Sequence, residues 1–171
     1  ANYKSDLVAA VSSVSGVMLT CAGAISHPIP VLHLHGTSDS VIPYEGNSLF
    51  LSAQNVLDSW IDFNNTTTTA TINSETIDGR TVEHYIYDEG DNNVSVEHYK
   101  YIGGNHTWFR TTYQGNTTAQ LIWNFVSRYD INGLITATST SNITTEKSPQ
   151  LIKIIDVLGR ETIPKANTLL F

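Results

Sequence analysis

The chain has 171 residues, and its 9 Lys and Arg against 16 Asp and Glu give a net charge of −7 spread thinly, with no charge block. That balance excludes a basic face able to neutralise phosphates, so nucleic acid is not an expected partner. The length suits one domain with a real core, and no apolar run is long enough to span a bilayer, since even Leu151 to Leu158 is broken by Lys153 and Asp156.

The first residues, "ANYKSDLVAA", show neither a basic n-region nor an apolar h-region. A chain that opens on Ala1 and closes on "NTLLF" is expected to be a piece of a longer one. The single cysteine, Cys21, allows no internal disulfide and reads as a small core residue. Residues 7 to 14, "LVAAVSSV", and 29 to 34, "IPVLHL", are short Val, Leu and Ile runs that read as buried parallel strands, joined by a stretch holding Gly16, Gly23 and Pro28. From Ser52 to Phe63, Val56, Leu57, Trp60 and Ile61 recur at helical spacing behind Ser52 as N-cap.

Residues 81 to 106 hold two β-branched and aromatic runs around a Gly, Asp and Asn turn, a hairpin signal. The echo "VEHYIY" and "VEHYKY" reads as two paired strands, with His84 and His98 expected as a cross-strand pair or facing solvent. Residues 117 to 129 read as a second amphipathic helix, burying Ala119, Ile122, Trp123 and Val126. Residues 135 to 150 are Thr-rich and Ser-rich and read as a linker. The remainder, 151 to 171, returns to strand character around a Leu158-Gly159-Arg160 turn and is too short to bury a core alone.

This order of elements predicts an α/β domain with helices packed on a mostly parallel sheet, whose active groups sit on loops beyond the carboxyl ends of the strands. Two loops fit that position. Gly36 to Pro43 carries Asp39, and Gly103 to Trp108 carries His106 behind two glycines. A carboxylate and an imidazole on neighbouring loops suit acyl transfer: the acid takes the Nδ1 proton of the histidine and fixes its tautomer, while Nε2 accepts the nucleophile's proton. Acid before histidine is the chain order of α/β-hydrolases, whose serine precedes both on a G-x-S-x-G elbow. No such motif occurs here, and Ser12, Ser13 and Ser15 lack the flanking glycines.

Three segments carry a resemblance. "SDLVAAVSSVSGVM" is similar to the helix end and strand after the nucleophile elbow in the secreted esterase family of polyhydroxybutyrate depolymerases and feruloyl esterases. "PVLHLHGTSDSVIPYEG" resembles the acid loop of that family and "VEHYKYIGGNHTW" its histidine loop, with Asn105 where a third glycine is common. The resemblance implies that residues 1 to 134 are the C-terminal half of an α/β-hydrolase sheet with flanking helices, and that Asp39 is the catalytic acid and His106 the base; Trp108 reads equally as lining the substrate groove beside His106 or as packing the loop. It further implies a serine and an oxyanion hole upstream of Ala1, no cofactor, and a polyester or a feruloyl or acetyl ester on polysaccharide as substrate. The tail "LIKIIDVLGRETIPKANTLLF" resembles the start of a type IX C-terminal sorting domain through Asp156, Leu158, Gly159, Arg160, Asn167, Leu170 and Phe171. This implies a short β-type tail, a partner in the type IX secretion machinery, and a secreted or cell-surface location.

Other readings compete for the same residues. Asp39 also suits an Asx-type turn. His33 and His35, expected on opposite faces of their strand, could join Asp39 and His106 as metal ligands of a metal-dependent hydrolase. A non-catalytic surface binding module is the third reading. Tyr44 and Glu45 read as packing and helix-start residues, and the Asn-x-Ser/Thr triplets at Asn64, Asn65, Asn93, Asn105, Asn116 and Asn142 as chance matches.

Overall fold

A computed structural model describes residues 5–17 and 27–136. The chain divides into a unit of residues 1–136 and another of 137–171. The second unit, with nearly all of the expected linker and the sorting-like tail, lies outside the described residues, as does Cys21.

Five strands form one sheet in the order β1-β2-β5-β4-β3: β1 Val11–Val14, β2 Val31–Gly36, β3 Thr71–Ile77, β4 Arg80–Tyr87 and β5 Val96–Tyr101. Two helices accompany it, α1 Ala53–Asn64 and α2 Thr118–Val126, and a two-residue pair of strands, β6 Tyr129–Asp130 and β7 Gly133–Leu134, stands apart from the sheet. β1, β2 and β5 run parallel, whereas β4 pairs antiparallel with both β5 and β3. The sheet is therefore mixed, which corrects the expected mostly parallel arrangement.

The reversed strand is β4 of the expected hairpin, and its second antiparallel partner, β3, is an unread strand. "TINSETI" is mostly exposed, so it offers no apolar alternation to notice. Its signal lay in the following turn: Ile77 pairs with Arg80 around Asp78 and Gly79, both left-handed at φ 51° and 73°. Asp-Gly in a two-residue turn is the hairpin combination whose twist matches that of the strands.

The interior strand β2, between β1 and β5, is buried at every position. Side chains alternate along it, so Val31 joins Ile29, Val56, Leu57, Trp60, Ile61 and Val96 beneath α1, while Leu32 and Leu34 join Val82, Tyr101, Phe109, Leu121 and Phe125 beneath α2. The two helices thus cover opposite faces. Ser52 caps α1 as expected, its side chain accepting from the Asn55 N–H at 3.1 Å. α2 is capped by Thr117 with Gln120 in a reciprocal box. Its buried face is Thr118, Leu121 and Phe125, with Ile122 and Val126 at the margin; Ala119 is exposed and Trp123 is 68 % exposed, so the expected stripe was set about one position off.

β1 is shorter than the run 7 to 14 suggested. Residues Ser5–Leu7 form a single 3₁₀ turn, Leu7 is exposed, and β1 is only partly buried because, among the described residues, it pairs on one edge alone. No helix among the described residues is long and apolar enough to cross a membrane.

Candidate active site

β2 and β5 are parallel neighbours with His35 opposite Lys100 and Gly36 opposite Tyr101, so the loops that follow them leave the sheet side by side. Backbone bonds knit the loops together: the Thr37 N–H donates to the Tyr101 carbonyl at 2.9 Å and the Ser38 N–H to the Gly104 carbonyl at 2.8 Å. The Gly103 N–H donates to Thr37 Oγ1 at 2.8 Å. Gly103 sits at φ 71°, a conformation glycine adopts without strain.

Across this junction His106 Nδ1 stands 3.0 Å from Asp39 Oδ2. The Asp39 side chain is fully buried and that of His106 is 40 % exposed. The other oxygen, Asp39 Oδ1, accepts from the backbone N–H groups of Val41 at 2.9 Å and Ile42 at 2.8 Å. One oxygen of Asp39 thus serves its own turn and the other meets His106. Burial pushes the Asp39 carboxyl up, but the Ile42 and Val41 N–H groups together with His106 outweigh it and hold the pKa below the ordinary carboxylate value.

Asn105 clasps the two loops. Its Oδ1 accepts from the Ser40 N–H at 3.0 Å, the Ser40 hydroxyl at 3.1 Å and the His106 N–H at 2.7 Å. Behind the histidine, Phe109 is buried, stacks on Tyr101 with centroids 3.9 Å apart, and has its carbonyl held by Thr118 Oγ1 at 2.7 Å. Trp108, two residues past His106, is 55 % exposed. Ser15 follows β1 in the left-handed region at φ 49°; it is buried, and its hydroxyl faces the Thr107 carbonyl at 3.4 Å.

The histidines are arranged differently from expectation. His33 and His35 share one face, as residues two apart on a strand must, and His35 Nδ1 lies 3.3 Å from His33 Nε2. Along β4 and β5 the register sets His84 opposite Tyr99 and Tyr85 opposite His98, so His84 and His98 face opposite sides and are not a cross-strand pair. His84 stacks on Tyr99 and meets Glu97 Oε2 at 2.8 Å, while His98 is buried beside His33. Glu97 in turn binds Arg128, tying the end of α2 to the sheet.

The four residues named as alternative metal ligands stand in series, His106 to Asp39 to His35 to His33, not around a common point. Among the described residues no group of three or more His, Cys, Asp or Glu side chains is placed to hold an ion. The contact between His35 and Asp39 went unread, although "HLHGTSD" carried its signal: a same-face His-x-His ending one turn before the acid.

No family profile matches the chain. Over 133 residues, 78 % of its length, the chain is 26 % identical to the bifunctional acetylxylan esterase/xylanase XynS20E of Neocallimastix patriciarum, and it spans 18 % of that protein.

Proposed function

We propose that residues 1–134 are the C-terminal part of an α/β-hydrolase domain in a secreted serine ester hydrolase acting on polysaccharide-linked acetyl or feruloyl esters, or on a polyester. The observation that carries this reading is the 3.0 Å contact between His106 Nδ1 and a buried Asp39 whose second oxygen is bound by its own loop. The similarity to an acetylxylan esterase/xylanase supports the ester and the polysaccharide.

In this reading a serine from a part of the polypeptide outside these residues attacks the ester carbonyl. His106 Nε2 takes the serine proton and returns it to the leaving alcohol, and Asp39 holds the ring in the Nδ1–H tautomer and stabilises the imidazolium. Water repeats the sequence to release the acid. Trp108, exposed beside the histidine, supplies an aromatic wall for the acyl or sugar part of the substrate. Residues 135–150 act as a linker and 151–171 as the start of a type IX sorting domain.

The test uses the full-length protein. A fluorophosphonate probe should label it with chelator present, and Asp39→Asn and His106→Ala should each lower hydrolysis of p-nitrophenyl acetate by about a thousandfold or more. Activity lost to chelator without labelling, or full activity in both variants, overturns the reading.

A further inference from the structure

We infer that His35 is the positioning residue of Asp39, itself held by a one-way chain of imidazole hydrogen bonds that starts at the Tyr44 hydroxyl. The role in catalysis rests on the function proposed above, whereas the chain rests on geometry alone.

Two carbonyl groups fix its direction. His98 Nδ1 lies 3.0 Å from the His33 carbonyl oxygen, which can only accept, so His98 carries its proton on Nδ1. His98 Nε2 then offers a lone pair, met by the Tyr44 O–H at 2.9 Å. At the other end, His35 Nε2 lies 2.9 Å from the Ile42 carbonyl and 3.2 Å from Asp39 Oδ2, both acceptors, so His35 carries its proton on Nε2. Its Nδ1 is therefore an acceptor, and the facing His33 Nε2, 3.3 Å away, must donate. That leaves a lone pair on His33 Nδ1, 3.2 Å from His98 Nδ1, which takes a second branch of the His98 N–H.

Both ends demand the same pattern in the middle. Each ring holds one proton, each ring nitrogen has a partner, and all donors point from Tyr44 toward Ile42 in the Asp39 loop. A second proton on His33 would set two N–H donors head to head. The surroundings agree: all three rings are buried, His33 and His98 are stacked with centroids 5.0 Å apart, and Lys100 lies over the Tyr44 and Tyr85 rings with Glu83 beside it. Burial, with His35 alongside, lowers the His33 pKa to about 4 against a backbone hydrogen bond at Gly16, and burial with His33 alongside holds that of His98 well below its ordinary value.

The last N–H of the chain goes to the Ile42 carbonyl, and Ile42 in turn gives its own N–H to Asp39 Oδ1, while the His35 ring stands 3.2 Å from Oδ2, the oxygen that meets His106. The carboxylate is then held against rotation, Oδ1 by the Val41 and Ile42 N–H groups and Oδ2 by His106 beside the His35 ring.

The test is made on the full-length protein labelled with ¹⁵N-histidine. At about pH 8, imidazole ¹⁵N shifts should report Nδ1–H at His98 and Nε2–H at His33 and His35, with His33 and His98 unchanged on lowering to about pH 5.5. The opposite tautomer at any of the three overturns the chain. His35→Gln, whose amide reaches the Nε2 position, should keep kcat on p-nitrophenyl acetate close to the parent. His35→Asn, whose amide reaches only the Nδ1 position, should lose about tenfold or more in kcat with KM little changed and the acid limb of its pH profile moved upward. Equal behaviour of the two variants, with His106→Ala inactive, overturns the positioning role and leaves the proposed hydrolase standing. An active His106→Ala overturns both, whatever the tautomers.

Discussion

Gly36 and Gly104 face each other so closely that a Cβ on Gly36 would stand 2.2 Å from the Gly104 carbonyl oxygen. This contact joins the ends of β2 and β5 and sets the separation of the two loops that bear Asp39 and His106. Gly36 has no positive φ, so the objection to a side chain there is steric and not conformational. Gly36→Ala should cost about 1–3 kcal/mol, as overfilling a packed site does. It should also pull Asp39 from His106. Urea unfolding together with hydrolysis of p-nitrophenyl acetate measures both, and an alanine variant with parent stability and rate contradicts the geometry.

Asn105 should separate rate from stability. It is exposed, so Asn105→Ala should change the unfolding free energy by no more than about 1 kcal/mol. Its Oδ1 nonetheless holds Ser40 and His106 together, and kcat should fall several-fold, since each such bond is worth about 0.5–1.5 kcal/mol. Asn105→Asp retains the acceptor and should recover most of the rate.

Asn64 closes the last turn of α1 onto the entry to β2. It is fully buried, its Oδ1 accepts from the Ile29 N–H at 2.9 Å, and its Nδ2 donates to the Ile29 carbonyl at 2.7 Å. Asn64→Ala strands a buried donor and acceptor together and should destabilise by about 2 kcal/mol or more. Thermal or urea unfolding reads the loss directly.

The buried imidazoles should make stability fall on acidification before any carboxylate titrates. His33 binds its proton near pH 6.5 when unfolded and only at about 4 when folded, and His98 is likewise held well below its ordinary value. Between these values the unfolded chain holds more protons, so unfolding free energy rises with pH and is lost as pH drops below 6.5. The slope should approach about 1.4 kcal/mol per pH unit for each histidine. Asp39, whose pKa is lowered, adds a loss in the same direction at still lower pH, below its ordinary 3.8. A plateau of urea midpoints from pH 7 to about 5 would contradict neutral, buried rings.

Much of the arrangement can be read from residue pattern because β2 is unusually explicit. "IPVLHL" is buried throughout, and Ser52 and the Val56 to Ile61 stripe announce α1. Asp39 and His106 were visible as loop residues after strands, and the junction between them follows once β2 and β5 are neighbours. The rest was hidden for particular reasons. β3 buries little, so only its Asp-Gly turn spoke for it. Trp123 suggested a buried face by its hydrophobicity, yet the helix is held by Leu121 and Phe125. His35 looked like a ligand residue because His33 and His35 were taken to face opposite sides of β2, and the further contact of His33 with His98 joins two strands, which no spacing within one strand reveals.

The parallel pairing of β2 with β5 also bears on the order in which the molecule assembles. Asp39 and His106 are 67 residues apart in the chain, and β3, β4 and β5 between them form an antiparallel meander closed by short turns. Local hairpins close quickly, while a parallel pair across so long a loop must wait for its closing entropy to be offset. The acid and the base therefore meet only after the meander has formed and docked on β2. Recovery of the His106 to Asp39 contact during refolding should lag behind recovery of strand signal, making it a clock for the completed fold.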